Sequence, residues 1–89
     1  MQNGNFYISQ DIHRYLGDYL FYYTKHALEK MDALGILKSE VESAMRRGMK
    51  WKEEKSEKWH AQMGGIEIVF MKQENNFVII TIYLARREK

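Results

Sequence analysis

The chain has 89 residues, a formal net charge of +2, and neither cysteine nor proline. One domain of this size buries roughly 60–65% of the surface its unfolded chain exposes, enough for a core without staples, and the missing cysteines exclude disulfides, thiolate metal sites and cysteine nucleophiles. The 14 Lys and Arg nearly balance the 12 Asp and Glu, so overall charge does not announce a nucleic-acid binder.

No apolar run approaches the ~20 residues that span a bilayer, and the N-terminus has no basic segment followed by an apolar one. Together with the free choice of a cysteine-less composition, this reads as a cytoplasmic protein. The six methionines read as core filler.

Residues 1–8 read as an extended lead. Ser9 can cap a short helix carrying Asp11, Ile12, Tyr15 and Leu16, with Gly17 as its stop. Tyr19 to Tyr23 fits either an extended segment or a continuation of that helix. Thr24 is a good helix cap, followed by Ala27, Leu28, Met31 and Leu34 at helical spacing and Gly35 as terminator. A second helix is predicted over 38–47, with Leu37, Val41, Ala44 and Met45 as its apolar stripe and Gly48 at its end. Its early glutamates and late arginines suit the helix dipole.

The period then changes to two. Trp51 and Trp59 lie symmetrically about Lys55, which predicts a hairpin with a polar tip that makes the two rings cross-strand neighbours. Gly64-Gly65 is a two-residue turn that pairs Met63 with Ile66, Ala61 with Ile68 and Trp59 with Phe70. Glu74-Asn75-Asn76 reads as the last turn, asparagine tolerating the left-handed region. Residues 77–84 are apolar on both faces and belong in the sheet interior. Thr81 and Tyr83 are two apart, so they share a strand face, which is expected to carry Phe77 and Ile79 as well. Helices followed by strands read as an α+β fold: two or three helices packed on a four-stranded antiparallel meander.

Three pieces in order carry a resemblance. They are Thr24-Lys25-His26-Ala27 at the first clear helix, Gly35-Ile36 with Glu40-Val41, and Ile79-Ile80-Thr81-Ile82-Tyr83 in the last strand. Over residues 22–84 this resembles domain-of-unknown-function family 4258, leaving residues 1–21 as an N-terminal extension of one domain. That family is in turn similar to the BrnT and RelE/ParE toxins. The resemblance implies a RelE/BrnT-like fold, metal-independent endoribonuclease activity on RNA or the ribosome, no cofactor, and an antitoxin protein as partner. Lys25-His26 is similar to the paired residues that open the BrnT helix, and Leu84 to Arg87 to its basic tail. Two positions depart from the pattern: Leu37 stands where the family has a serine cap, and Phe77 where BrnT has an arginine.

Cleavage of RNA without metal needs a base, a cation for the crowded phosphorane and an acid for the leaving oxygen. His26 is the candidate base or acid, since its ring titrates near neutrality and a helix start favours its neutral form. Arg46 and Arg86 are candidates for charge stabilisation, and Tyr83 for the acid. Thr24, Lys25, Arg47, Arg87 and Thr81 are candidates for phosphate or RNA contacts, while Thr24 has a structural reading as the cap, and Tyr83 as a core ring. Trp51 and Trp59 could stack on bases or hold the hairpin. His13 and His60 stand isolated, and no histidine spacing suits a metal.

Two functions follow as expectations. The first is a toxin-like ribonuclease of a toxin–antitoxin system. The second is a non-catalytic module of the same fold that binds protein or nucleic acid. The rings of Phe6, Tyr7, Tyr15, Tyr19, Phe21, Tyr22 and Tyr23 could build a homodimer or antitoxin interface, or cover one end of a small core.

Overall fold

The computed structural model describes residues 8–15 and 19–85, with side chains described over 20–85. The fold is α+β, with two helices on one six-stranded sheet. The strands are β1 (Ile8–Tyr15), β2 (Tyr19–Thr24), β3 (Met49–Lys52), β4 (Trp59–Met63), β5 (Ile66–Gln73) and β6 (Asn76–Leu84); the helices are α1 (Lys25–Leu34) and α2 (Lys38–Arg47). The sheet order is β1-β2-β6-β5-β4-β3. Residues 1–7, 16–18 and 86–89 lie outside the description, and with them Phe6, Tyr7, Leu16, Gly17, Arg86 and Arg87. No helix among the described residues is long and apolar enough to cross a membrane.

The expected meander is present: β3, β4, β5 and β6 pair antiparallel in succession. The Gly64-Gly65 turn sets the predicted register, with Met63 opposite Ile66, Ala61 opposite Ile68 and Trp59 opposite Phe70. Both glycines take positive φ, 61° and 86°, which a tight hairpin requires. The other turn departs in detail, because Glu74 itself adopts the left-handed backbone (φ 53°).

The N-terminal helix expected from Ser9 is a strand instead. β1 pairs antiparallel with β2, and β2 pairs parallel with β6, placing Phe21 beside Phe77 and Tyr23 beside Ile79. The open edge of the apolar β6 is the reason. A strand laid there satisfies its backbone groups and buries Phe21 and Tyr23, both with 0% exposure, which outweighs the weak local preference for helix. These two rings are core, so they are not available to an interface.

Both clear helices match their predicted spans. The Thr24 hydroxyl accepts from the Ala27 amide at 3.0 Å, and Gly35 closes α1 at φ 71°. At the start of α2 the Glu40 carboxylate reaches back to the Leu37 amide at 2.9 Å, serving the N-terminus that Leu37 has no side-chain acceptor to serve. Leu37 is exposed and leaves the apolar stripe to Val41, Ala44 and Met45. α1 packs on β6 and β2, and α2 on β4 and β5. Between helices and sheet lie Met31, Val41, Met45, Ile68, Phe70, Ile79 and Ile82, with the Phe70 and Phe77 rings edge to face at 5.5 Å.

A bulge corrects the expected face of the last strand. Phe70 pairs with Ile79 but Val69 pairs with Thr81, so Ile80 is the extra residue. Beyond it the alternation inverts. Ile82 joins Phe77 and Ile79 on the helix side, while Thr81 and Tyr83 turn to the opposite face. The Ile80 carbonyl accepts from the Thr24 hydroxyl at 3.0 Å. The start of α1 is thereby tied to the bulge.

Candidate nucleic-acid interface

The sheet ends at β3, a short edge strand whose four residues are all exposed. It follows α2 with a single residue, Gly48, between them. Gly48 has ordinary negative φ, so space explains it. A Cβ there would stand 2.5 Å from the Ala44 carbonyl oxygen and 2.7 Å from that of Gln62. The missing side chain lets the helix end turn straight against β4.

That turn gathers Arg46 and Arg47 from the last turn of α2 with Lys50 and Lys52 of β3, all four exposed. The Glu53 amide donates to the Lys58 carbonyl at 2.9 Å and closes the hairpin. Antiparallel alternation then directs the backbone groups of Met49 and Trp51 toward β4, leaving those of Lys50 and Lys52 facing outward. Lys50 and Lys52 lie opposite Ala61 and Trp59, while Met49 and Trp51 lie opposite Gln62 and His60 on the other face. The edge therefore shows cations on one side and an apolar pair on the other, with Trp51 38% and Met49 64% exposed.

The register corrects the expected tryptophan pair. Trp51 faces His60, and Trp59 faces Lys52, so the two indoles project from opposite faces. The hairpin centre falls between Lys55 and Ser56, half a residue beyond the apparent symmetry, because the loop has an even number of residues. Trp59 stacks near Phe70 at 6.4 Å, under the Lys72 ammonium at 4.8 Å from the ring centroid. Trp51 lies parallel to the His60 ring, at 5.1 Å and 6°.

His60 is not isolated. Its Nδ1 lies 2.6 Å from Glu67 Oε2 and its Nε2 2.7 Å from Glu53 Oε2. The hydrogen bond from His60 holds the Glu53 carboxyl below the usual range; burial opposes this, and Ser56, the His60 charge and Lys58 add to it. The two ring nitrogens point to different carboxylates, and no group of three such ligands among the described residues could hold a metal ion.

The other candidate residues are dispersed. His26 is exposed in the first turn of α1, which has no acidic residue. Lys25 beside it pairs with Glu29 at 4.0 Å across an exposed helix turn. The Thr24 hydroxyl is buried and engaged by Ala27 and Ile80, so it serves the cap. Thr81 is buried, and Tyr83 is half exposed with the Lys30 ammonium 5.6 Å from its ring centroid. His26 heads the helix over β2 and β6, whereas Arg46 and Arg47 end the helix over β4 and β5. Arg86 and Arg87 lie outside the described residues.

The family described as a domain of unknown function, DUF4258, matches residues 23–84. The chain belongs to that family. No curated protein and no solved structure matches the chain. The matched segment begins inside β2, so β1 and most of β2 precede it.

Proposed function

We propose that this chain binds single-stranded RNA along the α2–β3 edge. The observation that supports this reading most is that exposed Arg46 and Arg47 end α2 and exposed Lys50 and Lys52 line one face of β3, while the exposed indole of Trp51 stands on the other face of the same strand. Cations that follow a backbone, together with a ring that stacks on a base, are the physical recipe for single-strand binding. Four phosphate contacts imply a salt slope of about −3 in log K against log salt. In a fluorescence titration with an RNA oligonucleotide, Lys50→Ala with Lys52→Ala is expected to flatten that slope by roughly 1.4. An unchanged slope sinks the reading.

Cleavage is a second reading, favoured by the exposed His26 at the start of α1. Under it the chain is a toxin-like, metal-independent endoribonuclease similar to BrnT and RelE/ParE proteins, with an antitoxin as partner. His26 serves as base; Arg46 ends the other helix, over β4 and β5, so this reading rests the charge of the phosphorane on Arg86. Induced expression of wild type beside His26→Ala in a bacterial host separates the two. Growth arrest and RNA cleavage relieved by the substitution support the ribonuclease; intact RNA with retained oligonucleotide binding supports the binding module.

A further inference from the structure

Glu53, His60 and Glu67 come from three consecutive parts of the sheet: the residue after β3, the second residue of β4 and the second residue of β5. A neutral imidazole has one N–H and one lone pair, so it can donate to only one acceptor. Here both ring nitrogens lie at hydrogen-bond distance from a carboxylate oxygen. Two ionised carboxylates require two N–H groups, which the imidazolium alone supplies. The Trp51 indole lies flat against this ring, an arrangement that favours a cation over the π face.

We infer that His60, held as an imidazolium between Glu53 and Glu67, is the positioning residue that presents Trp51 and fastens the β3 edge, so that this surface loosens when His60 loses its proton. β3 buries none of its four residues. Apolar packing therefore contributes little to holding it, and an isolated two-stranded hairpin is marginal in water. Beside the backbone ladder to β4, the clamp is a side-chain tie between the end of β3 and the two strands behind it. Loss of one ring proton leaves a lone pair facing a carboxylate at under 3 Å. That removes one hydrogen bond and sets two acceptors against each other. The charged and titratable groups around the ring are Glu53 from the end of β3, Glu67 from β5, Lys58 acting on Glu53, and Tyr83 opposite Glu67 on β6. Among the described residues, the two glutamates place carboxylate oxygens at hydrogen-bond distance from the imidazole.

The clamp itself stands apart from the RNA reading; only its consequence for binding rests on that reading. The test uses full-length Trp59→Phe, which leaves Trp51 as the single indole and keeps an aromatic ring on Phe70. Trp51 emission, which a stacked imidazolium quenches, is followed from about pH 5 to about pH 9, with affinity for an RNA oligonucleotide measured at each end. Emission is expected to rise with pH, and amide hydrogen exchange of Trp51 and Glu53, whose N–H groups face β4, corrected for intrinsic rate, to accelerate on the same side. His60→Gln removes the emission transition, and Glu53→Gln speeds exchange in β3 at the acid end. In the wild type, ring 15N shifts should show both His60 nitrogens protonated at the acid end, which keeps the test independent of how the variants fold. A flat emission profile, a transition that persists in His60→Gln, or a neutral ring at the acid end overturns the inference. An emission transition without RNA binding at any pH leaves the clamp standing and removes the binding reading. RNA binding with flat emission does the reverse.

Discussion

The two sides of the sheet are held by different forces. On one side β2, β6 and α1 enclose Phe21, Tyr23, Ala27, Met31 and Ile79, all buried. There the Thr24 hydroxyl caps the helix and serves the bulged Ile80 carbonyl. On the other side β3 is exposed throughout and is fastened by hydrogen bonds and by the His60 clamp. Apolar burial is non-directional, whereas the clamp depends on two carboxylates placed at hydrogen-bond distance from one ring. The exposed basic residues Lys50 and Lys52 and the exposed indole of Trp51 sit on the half held by polar contacts.

The contrast can be broken at several points. Phe70 spans the middle, touching Phe77 and Trp59. Phe70→Ala should cost about 3–5 kcal/mol through lost transfer and cavity, read as a lowered urea midpoint with little change with pH. A cost below about 1 kcal/mol would mean the core collapses around the gap and the half held by apolar burial is softer than argued. Gly48→Ala comes next. Its Cβ meets two backbone oxygens that cannot rotate away, so overpacking of about 1–3 kcal/mol is expected, with amide shifts in a heteronuclear spectrum concentrated at the α2–β3 junction. A silent spectrum would remove the close approach as the reason for glycine there. Thr24→Val keeps the shape and deletes the cap. It should lower the melting free energy by about 1–2 kcal/mol, equally at all pH values where the protein is folded.

The smallest effect sharpens the other half. The Glu53 carboxyl is held below its ordinary value of 4.5, first by the hydrogen bond from His60. A depressed folded-state value means the carboxylate adds stability above that ordinary value. The contribution is lost as pH falls through the folded-state value. Wild type and Glu53→Gln should therefore differ in urea midpoint near neutrality and converge in acid, the exposed position keeping the difference small. Curves that stay parallel down to the acid limit would show that Glu53 contributes nothing through its charge.

Much of this architecture was legible in local patterns. Thr24, Gly35 and Gly48 bracket two helices whose apolar spacing is helical, and Gly64-Gly65 dictates the register of β4 against β5. That register even contained the first half of the clamp. With His60 opposite Val69, Glu67 is its diagonal neighbour on the same face, a pairing that reading His60 as isolated overlooked. The second half was not legible, because Glu53 reaches the ring only through a β3–β4 register shifted by half a residue from the apparent tryptophan symmetry. Of the candidate site residues, Thr24 was correctly placed at a cap, while the expected face of Thr81 and Tyr83 fell to one bulge residue that no turn signal marks.

By itself the sequence determined the helix spans, the antiparallel meander and the apolar interior strand, because caps, glycine turns and hydrophobic period act within a few residues of one another. Tertiary structure alone decided that residues 8–15 and 19–24 extend the sheet, that Ile80 is extruded, and that Glu53, His60 and Glu67 meet beneath Trp51. Each of these depends on pairing between distant segments, where the backbone groups left open by one strand and the surface it can bury outweigh the weak preferences of the segment that fills the place.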